Sequence, residues 1–175
     1  MLEVGIGTGL VSSYIKWTGC AVSTFDINGR LNPDFEGSVK MLKEVVGGQR
    51  FDVVLCSRVL HHLPLVDLIP VIEQLHSVCT KRLVLTLPVD DFRVYFSSRI
   101  TSIQYRTLSI PIPIFLKRLV GKLLGIGAGS GLWQINSRDG MTTKSLIDTL
   151  QDKYATVRCY RIPEDMSHIV IILDK

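Results

Sequence analysis

The stretch Met1-Leu2-Glu3-Val4-Gly5-Ile6-Gly7-Thr8-Gly9-Leu10 decides the fold. An apolar, β-prone start runs into three glycines spaced two apart, and an apolar pattern of helical spacing follows. That order predicts a strand, a tight turn and a helix N-terminus. Glycine suits the turn because it adopts positive φ and lets backbone N–H groups approach a ligand closely. The helix start behind the loop adds unpaired N–H donors and the positive end of a dipole. A dinucleotide fingerprint, G-x-G-x-x-G, needs its third glycine where this chain has Leu10, so the spacing departs from that pattern.

Two later stretches fit the same architecture. Ala21-Val22-Ser23-Thr24-Phe25-Asp26 reads as a second strand ending in a carboxylate, which can accept both hydroxyls of a ribose. Phe51-Asp52-Val53-Val54-Leu55-Cys56-Ser57-Arg58-Val59-Leu60-His61-His62-Leu63-Pro64 reads as a strand followed by a loop. The continuous apolar run 53–56 predicts a strand buried on both faces.

The order Glu3-x-Gly5-x-Gly7-x-Gly9 resembles motif I of class I S-adenosylmethionine-dependent methyltransferases, and the stretches ending at Asp26 and running from Phe51 to Pro64 resemble that family's second and fourth strands. The resemblance covers most of the chain; its later part is similar to uncharacterised bacterial and archaeal members and names no substrate. It implies an α/β fold with a Rossmann-like sheet, mostly parallel, an antiparallel C-terminal strand and a helical insertion after strand 5. It also implies S-adenosylmethionine as cofactor. Gly5, Gly7 and Gly9 would cradle that cofactor, with Glu3 orienting its amino-acid end from behind. Asp26 would bind the ribose, Ile27 and Val39 would sandwich the adenine, and Cys56 and Ser57 would lie near the methionyl part. Many relatives have an acid at the position of Ser38 that accepts the adenine amino group; Ser38 has a hydroxyl without charge, so the backbone around Val39 is expected to take over. Acceptors bind after the fourth strand in this fold. That places Arg58 at the acceptor, with His62, and next His61, as candidate general bases, because histidine titrates near neutral pH. Paired histidines at such a position also serve as caps and packing residues.

The 175 residues are expected to form one domain. Apolar residues make up 46% and charged residues 21%, an ordinary globular composition that excludes a disordered or disulfide-built chain. Cys20, Cys56, Cys79 and Cys159 are widely spaced without a C-x-x-C pair, which points to reduced thiols and to no metal site. With no signal-peptide pattern and no charge-free apolar stretch of about 18 residues, the expected location is cytoplasmic, with peripheral membrane contact open. Met1 falls inside or just before the first strand, where the family has a preceding helix, so a late start or a piece of a longer protein is expected.

In chain order, the pattern predicts a helix over 10–17 ended by Thr18-Gly19, then the second strand. A short turn-rich link through Pro33-Asp34 stands where the family commonly has a full helix, and leads to a third strand at 35–39. A short helix over 41–46 follows, and a longer one over 68–78 carries Pro70 in its first turn. A fifth strand spans 82–87, a helix spans 142–154 with Thr142 or Thr143 as its cap, and a hairpin of strands at 155–161 and 167–173 ends the chain.

Residues 89–140 leave this pattern. From Phe92 to Arg138 there are seven basic residues and no acidic one, so the net charge of +4 is a local feature. Residues 114–124 place Phe115, Leu116, Leu119, Val120, Leu123 and Leu124 on one helical face and Lys117, Arg118 and Lys122 opposite. Such a helix can lie on an anionic membrane, bind an acidic partner, or pack as a lid with solvated lysines. Ile110-Pro111-Ile112-Pro113 before it and the glycine-rich 125–131 after it read as a stiff and a flexible hinge. Trp133, in the cluster Trp133-Gln134-Ile135-Asn136, either reaches the acceptor or packs on the sheet. The leading expectation is methylation of a small-molecule or lipid-like acceptor. The alternatives are a protein or nucleic-acid methyltransferase, for which aromatic residues in the basic segment are too sparse to give a strong nucleic-acid signal, and a catalytically silent binding module.

Overall fold

The computed structural model describes residues 1–90, 93–99, 105–111, 132–137, 141–162 and 165–175. Strand β1 (Leu2–Val4) is wholly buried and pairs in parallel with β2 (Ser23–Asp26) on one side and β4 (Phe51–Ser57) on the other. Beyond β2 lies the short β3 (Phe35–Glu36), and beyond β4 lies β5 (Cys79–Pro88), both parallel to their neighbours. The C-terminal hairpin of β8 (Thr156–Ile162) and β9 (Asp165–Asp174) then adds antiparallel strands, with β9 against β5. The sheet order is β3-β2-β1-β4-β5-β9-β8, so the strand order reverses direction between β1 and β4. In an open α/β sheet a ligand crevice forms at such a point, outside the carboxyl ends of the strands.

Packing explains why these segments hold. Val54 and Cys56 of β4, Leu83, Leu85 and Leu87 of β5, and Ile169, Ile171 and Leu173 of β9 alternate along their strands and are all fully buried. Helix α3 (Leu68–Val78) lays Leu68, Val71, Ile72, Leu75 and Val78 into the same core, at the spacing of one helical face. Helix α4 (Thr143–Gln151) adds Leu146 and Leu150; its cap is Thr142, whose Oγ1 accepts from Ser145 N at 3.1 Å. Val53 and Leu55 are only half-buried, so β4 is sealed completely on one face and not on both as the apolar run suggests.

The third strand is shorter than expected: Gly37 leaves it, Ser38 caps a 3-10 turn over Val39–Met41, and α2 is the single turn Leu42–Val45. The short β2–β3 link holds because Asp34 replaces a helix with side-chain bonds. Its Oδ2 accepts from Thr24 N at 2.8 Å and Thr24 Oγ1 at 2.9 Å, while Asp34 N donates back to Thr24 Oγ1 at 3.0 Å. These bonds hold the Asp34 carboxyl below the usual carboxylate range.

Helix α1 (Leu10–Trp17) corrects the simplest reading of its apolar spacing. Ser12 is its one buried residue, whereas Leu10 is 73% and Trp17 80% exposed, with Tyr14 beside Trp17. Most of the apolar residues therefore lie outward or on the cavity, with Ile15 half-buried, and Ser12 is the one side chain sealed against the sheet.

The insertion after β5 carries an element that the sequence reading does not foresee. Part of it is an antiparallel hairpin, β6 (Arg93–Arg99) with β7 (Tyr105–Pro111), in register from Arg93↔Pro111 to Arg99↔Tyr105. Aromatic and β-branched residues such as Val94, Tyr95, Phe96, Tyr105, Thr107 and Ile110 favour strands over a helix there. The amphipathic segment 114–124 and the glycine-rich 125–131 lie outside the described residues; of the stiff hinge, Ile110 and Pro111 belong to β7. Residues 132–137 form a strap: Ile135 bridges Val89 in parallel, and Leu132 N donates to His61 O at 2.9 Å. No helix among the described residues is long and apolar enough to cross a membrane.

Candidate functional site

A cavity of about 820 Å³ opens at the carboxyl ends of β1, β2 and β4, where the strand order reverses. The loop after β1 forms its floor. Gly5 N donates to Phe25 O at 2.8 Å, and Gly5 has φ +83°, where an added Cβ would collide with Val59 Cγ2. Gly7 has φ +54° and borders the cavity; a Cβ there would stand in open space that the glycine keeps clear for a ligand. Gly9 caps α1 in the left-handed region and shapes the loop without lining the cavity.

Two carboxylates sit at this end. Glu3 is 3% exposed, and its Oε2 is buried without a hydrogen-bond partner. Burial raises its pKa, with hydrogen bonding from Ser12 pulling the other way. Because Glu3 also lines the cavity, the unpartnered oxygen is available to a donor brought in by a ligand. Asp26 closes β2 with both oxygens engaged by the backbone: Oδ2 accepts from Ile6 N at 2.9 Å, and Oδ1 from Asn28 N at 2.8 Å. Each carboxylate oxygen has a second lone pair, so Asp26 can tie the glycine loop to its own turn and still accept from a ligand.

The remaining wall is apolar on the β2–β3 side and polar on the β4 side. Phe25, Ile27, Val39, Leu10 and Val11 line the former, together with Ser38, while Ser57, Arg58 and His62 line the latter. Ser57 Oγ lies 2.9 Å from Thr86 Oγ1, and that same Thr86 oxygen accepts from Arg58 N at 3.0 Å. Arg58 is held at φ +58°, a left-handed conformation uncommon for a residue with a side chain. His62 is exposed, and its ring lies 4.1 Å from the ring of His61. His61 itself is buried off the cavity with Nδ1 unpartnered. Burial, helped by the charges of His62, His168 and Arg58, pushes its pKa down to about 4, so His61 is neutral at physiological pH.

The structure thus brings Glu3, Gly5, Gly7, Asp26, Ile27, Ser38, Val39, Ser57, Arg58 and His62 around one cavity. Four expected site residues lie off its lining: Gly9, which shapes the loop from the start of α1, and Cys56, His61 and Trp133. Cys56 is fully buried, and burial pushes its thiol up to about 12. His61 lies behind His62, as described. Trp133 is 5% exposed and packs in the core, its indole N–H donating to Leu63 O at 2.7 Å. It fastens the strap to the histidine loop rather than lining the cavity. Sequence reasoning misses the wall residues Leu10, Val11 and Val59, whose only signal is their position next to the glycine loop and β4. It misses Thr86 as well, which strand pairing opposite Ser57 brings in.

No protein-family profile and no curated protein matches the sequence. Solved structures do match its fold. Magnesium protoporphyrin IX methyltransferase (ChlM) from Synechocystis PCC 6803 with bound SAH aligns at a TM-score of 0.55 with 17% identity, over 99% of this chain and 71% of that one. PigF with SAH aligns at 0.58 with 14% identity, over 99% of this chain and 50% of that one. The glycopeptide N-methyltransferase MtfA complexed with sinefungin aligns at 0.54 with 11% identity, over 98% and 84%. The chain has the class I methyltransferase fold.

Proposed function

We propose that this chain, built on the class I methyltransferase fold, binds S-adenosylmethionine in the cavity and transfers its methyl group to a small-molecule acceptor. The observation that carries the reading is the buried, unpartnered Glu3 Oε2 on the same cavity as Gly7 and the Asp26 tip. A ligand with an ammonium at one end and a ribose near its middle satisfies both carboxylates, so the residues fit the group. The magnesium protoporphyrin IX methyltransferase binds SAH on the same fold.

When bound, the cofactor supplies a methyl group activated by a sulfonium. The chain's own residues then have four tasks. Glu3 accepts from the ammonium end, which favours its carboxylate against the burial penalty. Asp26 accepts from ribose hydroxyls through its remaining lone pairs while holding the loop at Ile6 and Asn28. Ile27 and Val39 flank the base, with Ser38 beside them. Arg58 and His62 face the acceptor, where His62 takes a proton if the acceptor must lose one. Much of the rate comes from alignment and the exclusion of water, since methyl transfer needs little covalent help from the protein.

Calorimetric titration of S-adenosylmethionine and S-adenosylhomocysteine into the purified chain tests the reading. Micromolar binding by the native chain and its loss in Gly7→Val, which fills the open side of the loop, is the expected result. A folded chain that binds neither compound overturns it. Binding of both with no turnover on any acceptor in a broad small-molecule screen favours a catalytically silent binding module instead.

A further inference from the structure

Thr86 does not line the cavity, yet it holds two residues that do, Ser57 and Arg58. In the parallel pairing of β4 with β5, Thr86 stands opposite Ser57, so the two side chains leave the sheet on one face. Their hydroxyl oxygens are 2.9 Å apart. The same Thr86 oxygen accepts from Arg58 N at 3.0 Å, on the residue whose φ of +58° turns the chain away from β4.

The protons decide which way the Ser57 hydroxyl works. Each hydroxyl carries one proton and two lone pairs. Thr86 takes the Arg58 N–H on one lone pair, and Ser57 Oγ is the acceptor within reach of its own proton. Donation from Ser57 would make Thr86 accept twice and leave the Thr86 proton without an acceptor among the described residues. The order in which every proton is used runs from Arg58 N–H to Thr86 and from Thr86 O–H to Ser57. It leaves the Ser57 proton to the cavity that Ser57 lines. Each bond in such a chain polarises the next, so the last hydroxyl is the stronger donor for it.

A donor at that place has a counterpart in the proposed cofactor. Glu3 on β1 pairs with Leu55 on β4, so Ser57 stands two residues further along, beside Gly5 at the same end of the sheet. An α-amino acid whose ammonium meets Glu3 carries a carboxylate on the same carbon, and that group only accepts hydrogen bonds. We propose that Thr86 is a positioning residue, which fixes Ser57 as a hydrogen-bond donor to the carboxylate at the amino-acid end of S-adenosylmethionine. A hydroxyl bond to an ionised acceptor is shorter and stronger than one between neutral groups, so its direction matters to affinity. This inference rests on the cofactor reading above, which brings the amino-acid end to Glu3.

Three ligands are titrated into the native chain and its variants by calorimetry: S-adenosylhomocysteine, its decarboxylated analogue, which keeps the ammonium, and 5′-methylthioadenosine, which lacks both charged groups. Ser57→Ala should weaken S-adenosylhomocysteine by about tenfold or more and leave the other two within about twofold, which also shows that the variant is folded. Thr86→Val keeps the shape of the side chain without its hydroxyl, and should weaken S-adenosylhomocysteine alone by about threefold or more. Thr86→Ser restores the hydroxyl and should bind within about twofold of the native chain. The double variant Ser57→Ala/Thr86→Val should lose no more than Ser57→Ala, because Thr86 acts through Ser57. Unchanged S-adenosylhomocysteine affinity in Ser57→Ala or Thr86→Val overturns the proposal, and so do losses that add in the double variant. An equal loss for all three ligands in Thr86→Val also overturns it, since the hydroxyl would then serve the fold alone. An equal loss for the decarboxylated analogue and S-adenosylhomocysteine overturns the carboxylate as the partner. A native chain that binds none of the three overturns the cofactor reading and this proposal with it, whereas native binding that Thr86→Val leaves untouched removes the proposal alone.

Discussion

Asp26 performs two jobs with one carboxylate, and a substitution there separates them. Asp26→Ala removes the acceptors for Ile6 N and Asn28 N as well as those offered to a ribose. Its affinity for S-adenosylhomocysteine should fall by about 1.5–3 kcal/mol, the worth of hydrogen bonds to a charged group, and part of that loss reflects a loosened loop. Asp26→Asn keeps one carbonyl oxygen for the backbone and should lose less; calorimetry on both variants checks the order, and equal losses would rule out the structural share. His62 makes the opposite kind of prediction. It lines the cavity past the end of β4 and, among the described residues, bonds its loop through the backbone, His62 N to Val59 O at 3.0 Å. His62→Ala should leave S-adenosylhomocysteine affinity unchanged and lower turnover by about tenfold or more once an acceptor is in hand. Unchanged turnover would remove histidine from the chemistry. His61 is unsuited to that role in the present geometry, since its ring is buried off the cavity and packs on His62, where it acts on ring position.

At the scale of elements, the strap 132–137 joins three parts of the molecule that are far apart in sequence. It bridges the end of β5 through Ile135, accepts the turn before α4 through Asn136, and docks on the histidine loop through Leu132 N and the Trp133 indole. Trp133→Phe keeps an aromatic ring but removes the indole donor and part of the buried volume, leaving Leu63 O without that bond. Stability should fall by about 1–2 kcal/mol in urea unfolding, and exchange of the Leu132 amide should quicken. Unaltered exchange would mean that the indole bond does not hold the strap. Sequence alone cannot place Trp133, because its partner is 70 residues away. By contrast, α3 coincides with its expected span 68–78, because apolar spacing and Pro70 in the first turn are local signals. Cys56 and Ser57 show a readable distinction that composition obscures: neighbours on a strand point to opposite faces, so only one of them can border the cavity. The β6–β7 hairpin lacks an Asn-Gly or Asp-Gly turn signal between its strands, and its serines and arginines blur the alternation that would announce it. The outward placement of most apolar residues of α1 is likewise invisible locally, since periodicity reveals a face but not the direction in which it points.

For the whole molecule, the buried titratable groups set a pH window for stability. His61 and His76 both have pKa values lowered by burial, His61 to about 4 from an ordinary 6.5. Between those values the unfolded chain binds more protons than the folded one, so stability rises with pH through that range and is complete above about 6.5. Asp34, lowered by its bonds to Thr24, extends the loss on the acid side, where its folded carboxylate is finally protonated below 3.8. Two groups act in the other direction. Glu3 has a raised pKa, so ionising it in the folded chain costs stability as pH climbs through and above 4.5, and partly offsets the histidine gain. Cys56 stays a thiol up to about 12, so stability falls again above its ordinary value of 9.0, where the unfolded thiol ionises first. Urea midpoints measured from pH 4 to 10 should therefore rise, flatten between about 7 and 9, and decline. His61→Phe should flatten the acid limb, and a midpoint that falls as pH rises from 4 to 6.5 would contradict the assignment. Adding S-adenosylhomocysteine links this window back to function. A bound ammonium beside Glu3 would favour its carboxylate, so the ligand should stabilise the chain more at pH 7 than at pH 5. A saturating ligand at about a hundred times its dissociation constant adds roughly 2.7 kcal/mol, enough for the difference between the two pH values to be measured by thermal unfolding.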